Sequence, residues 1–333
     1  MLFEGKIIPG YRHQPGFHCA SSAIRNILAF RGIRLSEPAV IGLGRGPGLC
    51  YLVIDGRPSH LVHVRHLTLE ENFFRTVGLK FQWRETEDAA EATRMAKASV
   101  GRGLPVLIQT DIAYLPYFNT DQRFPGHAVV ICGYDDDRGE FYVSDTLRPD
   151  MLAVATADME RARSGGFEPY VINNRSFVLE DLSGFRVDEA VVRGAIRLWA
   201  EENLSGIPGL PFAYGIRSLE ALIGDLPGWK DIADWKWSAR FTYQVIERRG
   251  TGGAGFRTLY RQFLEEQEGR HPALQRMGLS KQLAVIEGIY HDVAAVFRQI
   301  SEGEAPDFSP ATPVLEKLLE RETAFYRRIL LEL

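Results

Sequence analysis

Directly after Cys19, the apolar residues Ala20, Ala23, Ile24, Ile27 and Leu28 recur at helical spacing, which predicts a helix that starts at the cysteine and buries one face. Downstream the period changes. Residues 125–135 and 139–146 read as two strands around the turn Asp135-Asp136-Asp137-Arg138-Gly139, and the short runs over 104–109 and 170–172 read as further strands. From about residue 180 helical periodicity prevails, first over 188–203. Further helices are expected over 229–249, 255–268, 280–300 and 313–331, separated by Gly or Pro. The stripe Leu283, Ile286, Ile289, Tyr290, Val293 and Phe297 reads as bundle core rather than as a cofactor box.

These patterns predict an α+β chain. An antiparallel-sheet domain would occupy residues 1–180, and a mostly α-helical domain residues 181–333. With 333 residues and 45% hydrophobic content, two substantial cores are affordable.

Candidate chemistry lies in the first part. A cysteine at a helix N-terminus sits against unpaired N–H groups and about half a positive charge, which favours thiolate over thiol. In the predicted hairpin, a turn centred near Asp136 would set His127 and Asp145 directly opposite each other and on one face. A carboxylate beside an imidazole fixes its tautomer and stabilises the imidazolium, the orienting role in a nucleophile, base and acid series. Cys19, His127 and Asp145 are therefore the candidate triad. Gln14, in the loop before the helix, is the candidate side-chain partner of the Cys19 N–H in an oxyanion site.

Other motifs carry less. Cys132 falls on the strand face opposite His127 and Cys50 precedes no clear helix, so both read as packed thiols. His60, His63 and His66 lie in a run favouring extended structure, where 63 points away from 60 and 66, and no acidic or Cys partner has ligand spacing; no metal is expected. The stretch from Gly42 to Gly48 lacks the Lys-Ser/Thr of a phosphate loop and reads as a flexible turn, with the sharper option that it borders an acyl or pantetheine channel. Arg248-Arg249 reads as a helix-end cap, the sharper option being a contact for phosphopantetheine or an acidic carrier helix.

A net charge of −4 gives no general nucleic-acid or anionic-membrane signal. Three well-separated cysteines suggest no disulfide framework. Residues Met1 to Lys6 show no leader pattern, and no apolar run of roughly 18 residues occurs. The expected location is cytoplasmic.

The order Gln14, Cys19, His127, Asp145 resembles papain-like cysteine peptidases, particularly their C39-type bacterial branch. The match to one subgroup is closer. His18-Cys19-Ala20-Ser21-Ser22 with Ala23 to Leu28, then Gly32, Leu35-Ser36-Glu37, Gly42-Leu43-Gly44 and Gly48-Leu49 resemble the butirosin biosynthesis protein H family, and Gly250-Thr251-Gly252-Gly253 with Phe256-Arg257 resembles its accompanying helical domain. The resemblance implies a papain-like domain followed by the helical one. It also implies an acyltransferase that moves an acyl group from an acyl carrier protein or pantetheine thioester to a small-molecule amine in natural-product assembly, with Cys19 as nucleophile beside His127 and Asp145. No cofactor of the chain's own is implied beyond the phosphopantetheine that carries the acyl group. A cysteine peptidase, a thioester hydrolase or cyclase, and a non-catalytic binding module remain alternatives, and a homodimer is left open.

Overall fold

The computed structural model describes residues 6–167 and 170–333. Met1 to Gly5, most of the stretch read above for a leader, lie outside the described residues, as do Glu168 and Pro169. The chain folds into two compact units, both discontinuous: residues 1–40 with 78–185, and residues 41–77 with 186–333. The contiguous division at residue 180 expected from periodicity differs from this grouping at one segment, 41–77. That segment holds a hairpin, Pro47–Val53 antiparallel to His60–Arg65, whose strand signal resembles that of the first unit but whose buried side packs among helices. The Trp199 indole N–H and the Asn203 amide both donate to the Pro47 carbonyl, and the Ser218 hydroxyl accepts the Tyr51 N–H.

In the first unit, the Cys19–Phe30 helix and a five-stranded antiparallel sheet are the main layers, with the Ala89–Gly101 helix packed beside them. The sheet order is Leu152–Ala155, Glu140–Ser144, His127–Asp135, Val106–Thr110, Ser176–Val178. Four strands follow chain order as a meander and the last returns to the free edge. The central strand is buried on both faces, its run His-Ala-Val-Val-Ile-Cys being interior almost throughout. Ala23, Ile24, Ile27 and Leu28 are fully interior, which is the stripe the helical spacing predicts.

The second unit is mostly helical. Helices form over Glu189–Ser205, Arg257–Glu268, Leu279–Glu302 and Ala311–Glu332, near the expected bounds. The helix expected over 229–249 begins later, at Trp235, because Leu226–Asp231, with Pro227 in its first turn, winds as a 3₁₀ segment. The Gly42 to Gly48 stretch is a correction: it is close-packed and buried, not a flexible turn. A Cβ at Gly42 would meet the Phe263 ring at 2.1 Å, and one at Gly48 the Tyr214 hydroxyl at 2.1 Å. Arg249 folds back over the Phe241 ring and donates to the Gln244 side chain, consistent with a helix-end role. Among the described residues no helix is long and apolar enough to cross a membrane.

Candidate active site

The loop before the Cys19 helix is held by buried polar groups. Glu37 Oε1 accepts the His18 N–H (2.8 Å) and the Ser21 hydroxyl (3.0 Å), while Oε2 accepts the Phe17 N–H (3.0 Å). Arg25 and Asn26, about two turns into the helix, donate to the Gln14 carbonyl, and Arg25 also reaches that of Pro15. Gly16 is needed here because a Cβ would stand 1.9 Å from Ser22 Oγ and 2.6 Å from Glu37. Every anchor is a backbone group or a buried side chain, so Cys19 emerges at a fixed place, the first residue of its helix. His18 is the N-cap, extended at φ −120°, ψ 134°, and its Nδ1 accepts the Ser21 N–H at 3.3 Å.

The sheet supplies the other half. His127 opens the central strand, and its Nε2–H donates to Asp145 Oδ2 at 2.7 Å. Asp145 follows the Glu140–Ser144 strand directly. Its Oδ2 also accepts the Tyr117 hydroxyl (2.9 Å), and its Oδ1 the Leu147 N–H (3.1 Å). The Phe118 ring stands edge-on to the imidazole at 5.1 Å, and the Arg148 guanidinium covers Phe118 at 4.4 Å. Two bonds tie this strand end to the helix start: Gly16 N–H to the Thr146 carbonyl (2.8 Å), and the Thr146 hydroxyl to the Cys19 carbonyl (3.3 Å).

The hairpin register differs from the expected one. Val130 faces Ser144 and Ile131 faces Val143, but beyond an irregularity at Cys132 Gly133 faces Tyr142. His127 and Asp145 are therefore not directly opposite. Continuing the Val130 to Ser144 register puts Asp145 across from position 129, two residues from His127 and so on its face; the pair meets diagonally.

Asp145 engages Nε2, which leaves Nδ1 as the ring nitrogen available to the thiol, and the Cys19 and His127 side chains lie close enough to shift each other's protonation. Burial would raise the Cys19 pKa. The electrostatic pull of His18, hydrogen bonds from His127 and His18, and the charge of His127 overcome it and hold the thiol well below its ordinary value. For His127, burial works against protonation, yet the charge and hydrogen bond of Asp145, then those of Cys19, raise it to about 10. Asp145 is likewise penalised by burial but held below the ordinary carboxylate value, chiefly by His127. All three directions describe a buried thiolate and imidazolium pair steadied by a carboxylate. The other two thiols behave oppositely: burial pushes Cys50 and Cys132 up to about 12, and Cys132 donates to the Tyr142 carbonyl.

A thiol at a helix N-terminus, with a sheet-borne imidazole and its carboxylate, is the layout of papain-like cysteine enzymes. Residues 18–146 match the family described as Butirosin biosynthesis protein H, N-terminal, and residues 157–329 match the Domain of unknown function DUF4872. The chain belongs to this butirosin biosynthesis protein H-like family. Among solved structures it is similar to a Bacillus anthracis protein described as a C39-like peptidase, at 16% identity, covering 54% of this chain and 100% of that one, with a TM-score of 0.37. No curated protein matches.

Gln14 keeps its side chain exposed while its carbonyl is the group anchored to the helix. Among the described residues no group of His, Cys, Asp and Glu has the arrangement of a metal site; His60 and His63 lie in the extended hairpin and His66 is buried against Asn72 and Glu202. Sequence reasoning missed Glu37, Tyr117 and the capping place of His18. Only His18 left a trace, as the residue before a helix-starting cysteine.

Proposed function

We propose that the chain is a cysteine acyltransferase that takes an acyl group from a carrier-protein or pantetheine thioester and passes it to an amine in natural-product assembly. The observation that carries this reading is the buried thiolate and imidazolium pair, with its carboxylate, in a chain of the butirosin biosynthesis protein H-like family. Cys19 Sγ attacks the thioester carbonyl, a carbon–sulfur bond forms, and the carrier sulfur leaves with the proton from His127. The Cys19 N–H, which a helix of this start leaves without an intrahelical acceptor, and the Gln14 amide stabilise the oxyanion. An amine then attacks the acyl-cysteine; His127 takes its proton, the carbon–nitrogen bond forms, and the thiolate returns. Asp145 keeps the ring oriented through both halves.

Intact-mass analysis with a panel of acyl-pantetheines, with and without amines, tests this. The expected result is one acyl group on the wild type, none on Cys19→Ala, an unchanged adduct on Cys50→Ala, and discharge to an amide when an amine is present. Labelling that survives Cys19→Ala would overturn the assignment. Discharge to free acid at the same rate with and without amines would make the protein a hydrolase.

A further inference from the structure

Asp145 Oδ2 serves two donors at once, and the triad accounts for one of them. His127 Nε2–H reaches it at 2.7 Å and the Tyr117 hydroxyl at 2.9 Å, while Oδ1 takes the Leu147 N–H. Local structure puts the hydroxyl there. Pro116 opens a 3₁₀ turn over Pro116–Phe118, Asn119 closes it in the left-handed region at φ 48°, and Arg148 donates to the Tyr117 carbonyl (3.0 Å) while covering the rings of Tyr117 and Phe118. The turn that sets Tyr117 on the carboxylate also sets Phe118 against the imidazole. A carboxylate oxygen has lone pairs for both donors, but one charge to divide between them.

We propose that Tyr117 is a positioning residue which, by sharing Oδ2 with His127, limits how firmly Asp145 holds the imidazolium and leaves the ring able to release its proton. This rests on the transfer reading above and adds a determinant of the same site. Two donors on one oxygen oppose each other, because each draws negative charge towards itself and leaves less for the other. The hydroxyl therefore stabilises Asp145 more when His127 is neutral than when it is charged. Its net effect favours the neutral ring. Loading of Cys19 needs the imidazolium, which gives its proton to the departing carrier sulfur; discharge needs the neutral ring, which accepts the proton of the amine. A ring held too firmly as imidazolium would load and then stall. Burial and the adjoining carboxylate raise the phenol of Tyr117, so it stays a donor; Cys19 acts on His127, and Arg148 on Tyr117, as the other strong charges about the pair.

Tyr117→Phe removes the hydroxyl and keeps the ring that packs with Phe118 and Arg148. In Cys19→Ala, where no thiol takes part in the proton exchange, the ¹⁵N signals of His127, assigned by their loss in His127→Gln, are titrated with and without Tyr117→Phe. The expected midpoint is about 0.5–1 pH unit higher in the Phe variant, the range set by the net strength of one hydrogen bond. With Cys19 in place and acetylated by p-nitrophenyl acetate, discharge to hydroxylamine below that midpoint should slow by about three- to tenfold and recover as pH rises, with loading little changed, as read by intact mass. A tyrosine that only braced the fold would not move the midpoint. A midpoint unchanged or lowered in the Phe variant would overturn the role. A raised midpoint, combined with failure of acetyl-pantetheine to load a wild type that p-nitrophenyl acetate does load, would support Tyr117 and count against the carrier reading alone.

Discussion

Each unit buries an ion pair, and the two pairs are built alike but can do different things. In the second unit Glu322 Oε1 accepts the Arg257 guanidinium (3.0 Å) and the hydroxyls of Tyr290 (3.2 Å) and Tyr326 (3.0 Å), while Arg257 also donates to the carbonyls of Gly48 and Gly255 and stacks on Tyr290. In the first, Asp145 accepts His127, Tyr117 and a backbone N–H. Both carboxylates are thus buried and saturated with donors, as a buried charge requires. The difference is the cation. Arginine does not give up its proton in proteins; burial works against the Arg257 charge, but the oxygens of Tyr290, Glu322 and Tyr326 outweigh it and hold the guanidinium further up. His127 faces a thiol to which it can return its proton. On the function proposed above, the first pair serves as chemical machinery because one of its members can exchange a proton with the proposed nucleophile.

The sharpest way to break the comparison is to neutralise one member on each side. Asp145→Asn should lower the acylation rate of Cys19 by about 10²–10⁴, since the carboxylate's orienting and charge-stabilising role is lost, while leaving the fold largely intact; stopped-flow acylation beside a denaturation curve checks this. Arg257→Met should do the reverse. It strands Glu322 in the interior and should destabilise the protein by about 3–5 kcal/mol, with acylation at Cys19 surviving wherever the protein stays folded. Adding Glu322→Leu should recover part of that loss in urea unfolding, because replacing both partners removes the stranded charge.

A smaller and finer test is pH. His127 is raised from 6.5 towards 10, so alone its contribution to stability is full below 6.5 and fades as pH climbs to about 10. Cys19 is lowered from 9.0, so its contribution is full above 9.0 and fades as pH falls towards its folded value. Between 6.5 and 9.0 the two slopes cancel, because folding only moves one proton from sulfur to ring. The wild type should therefore show a flat stability plateau there, falling on the acid and alkaline sides. Cys19→Ala should replace the plateau with a steady decline from about pH 6.5 upward, as read from urea midpoints. A plateau that persists in Cys19→Ala would contradict the pairing.

The helix at Cys19, the strands carrying His127 and Asp145, and the later helices were legible because each rests on local periodicity. The register was only half legible. His127 and Asp145 do share a face, but not by the expected register: Asp135 pairs with Glu140, so the turn centres between 137 and 138 rather than near 136, and the irregularity at Cys132 then moves the ladder by one place, which nothing in the run Val-Ile-Cys-Gly-Tyr announces. Glu37 and Tyr117 act across 19 and 28 positions of chain, on His18 and Asp145, and such contacts leave no local pattern. The hairpin over 47–65 was invisible as a member of the helical unit for the same reason: alternation predicts a strand, not its neighbours.

That hairpin also constrains the gene. Because residues 41–77 interrupt one unit and complete the other, a single cut near position 185 would deprive the downstream piece of its two strands and leave the upstream piece with a foreign insert. Swapping either part between relatives by recombination needs three coordinated crossovers, so the two parts are expected to be inherited together.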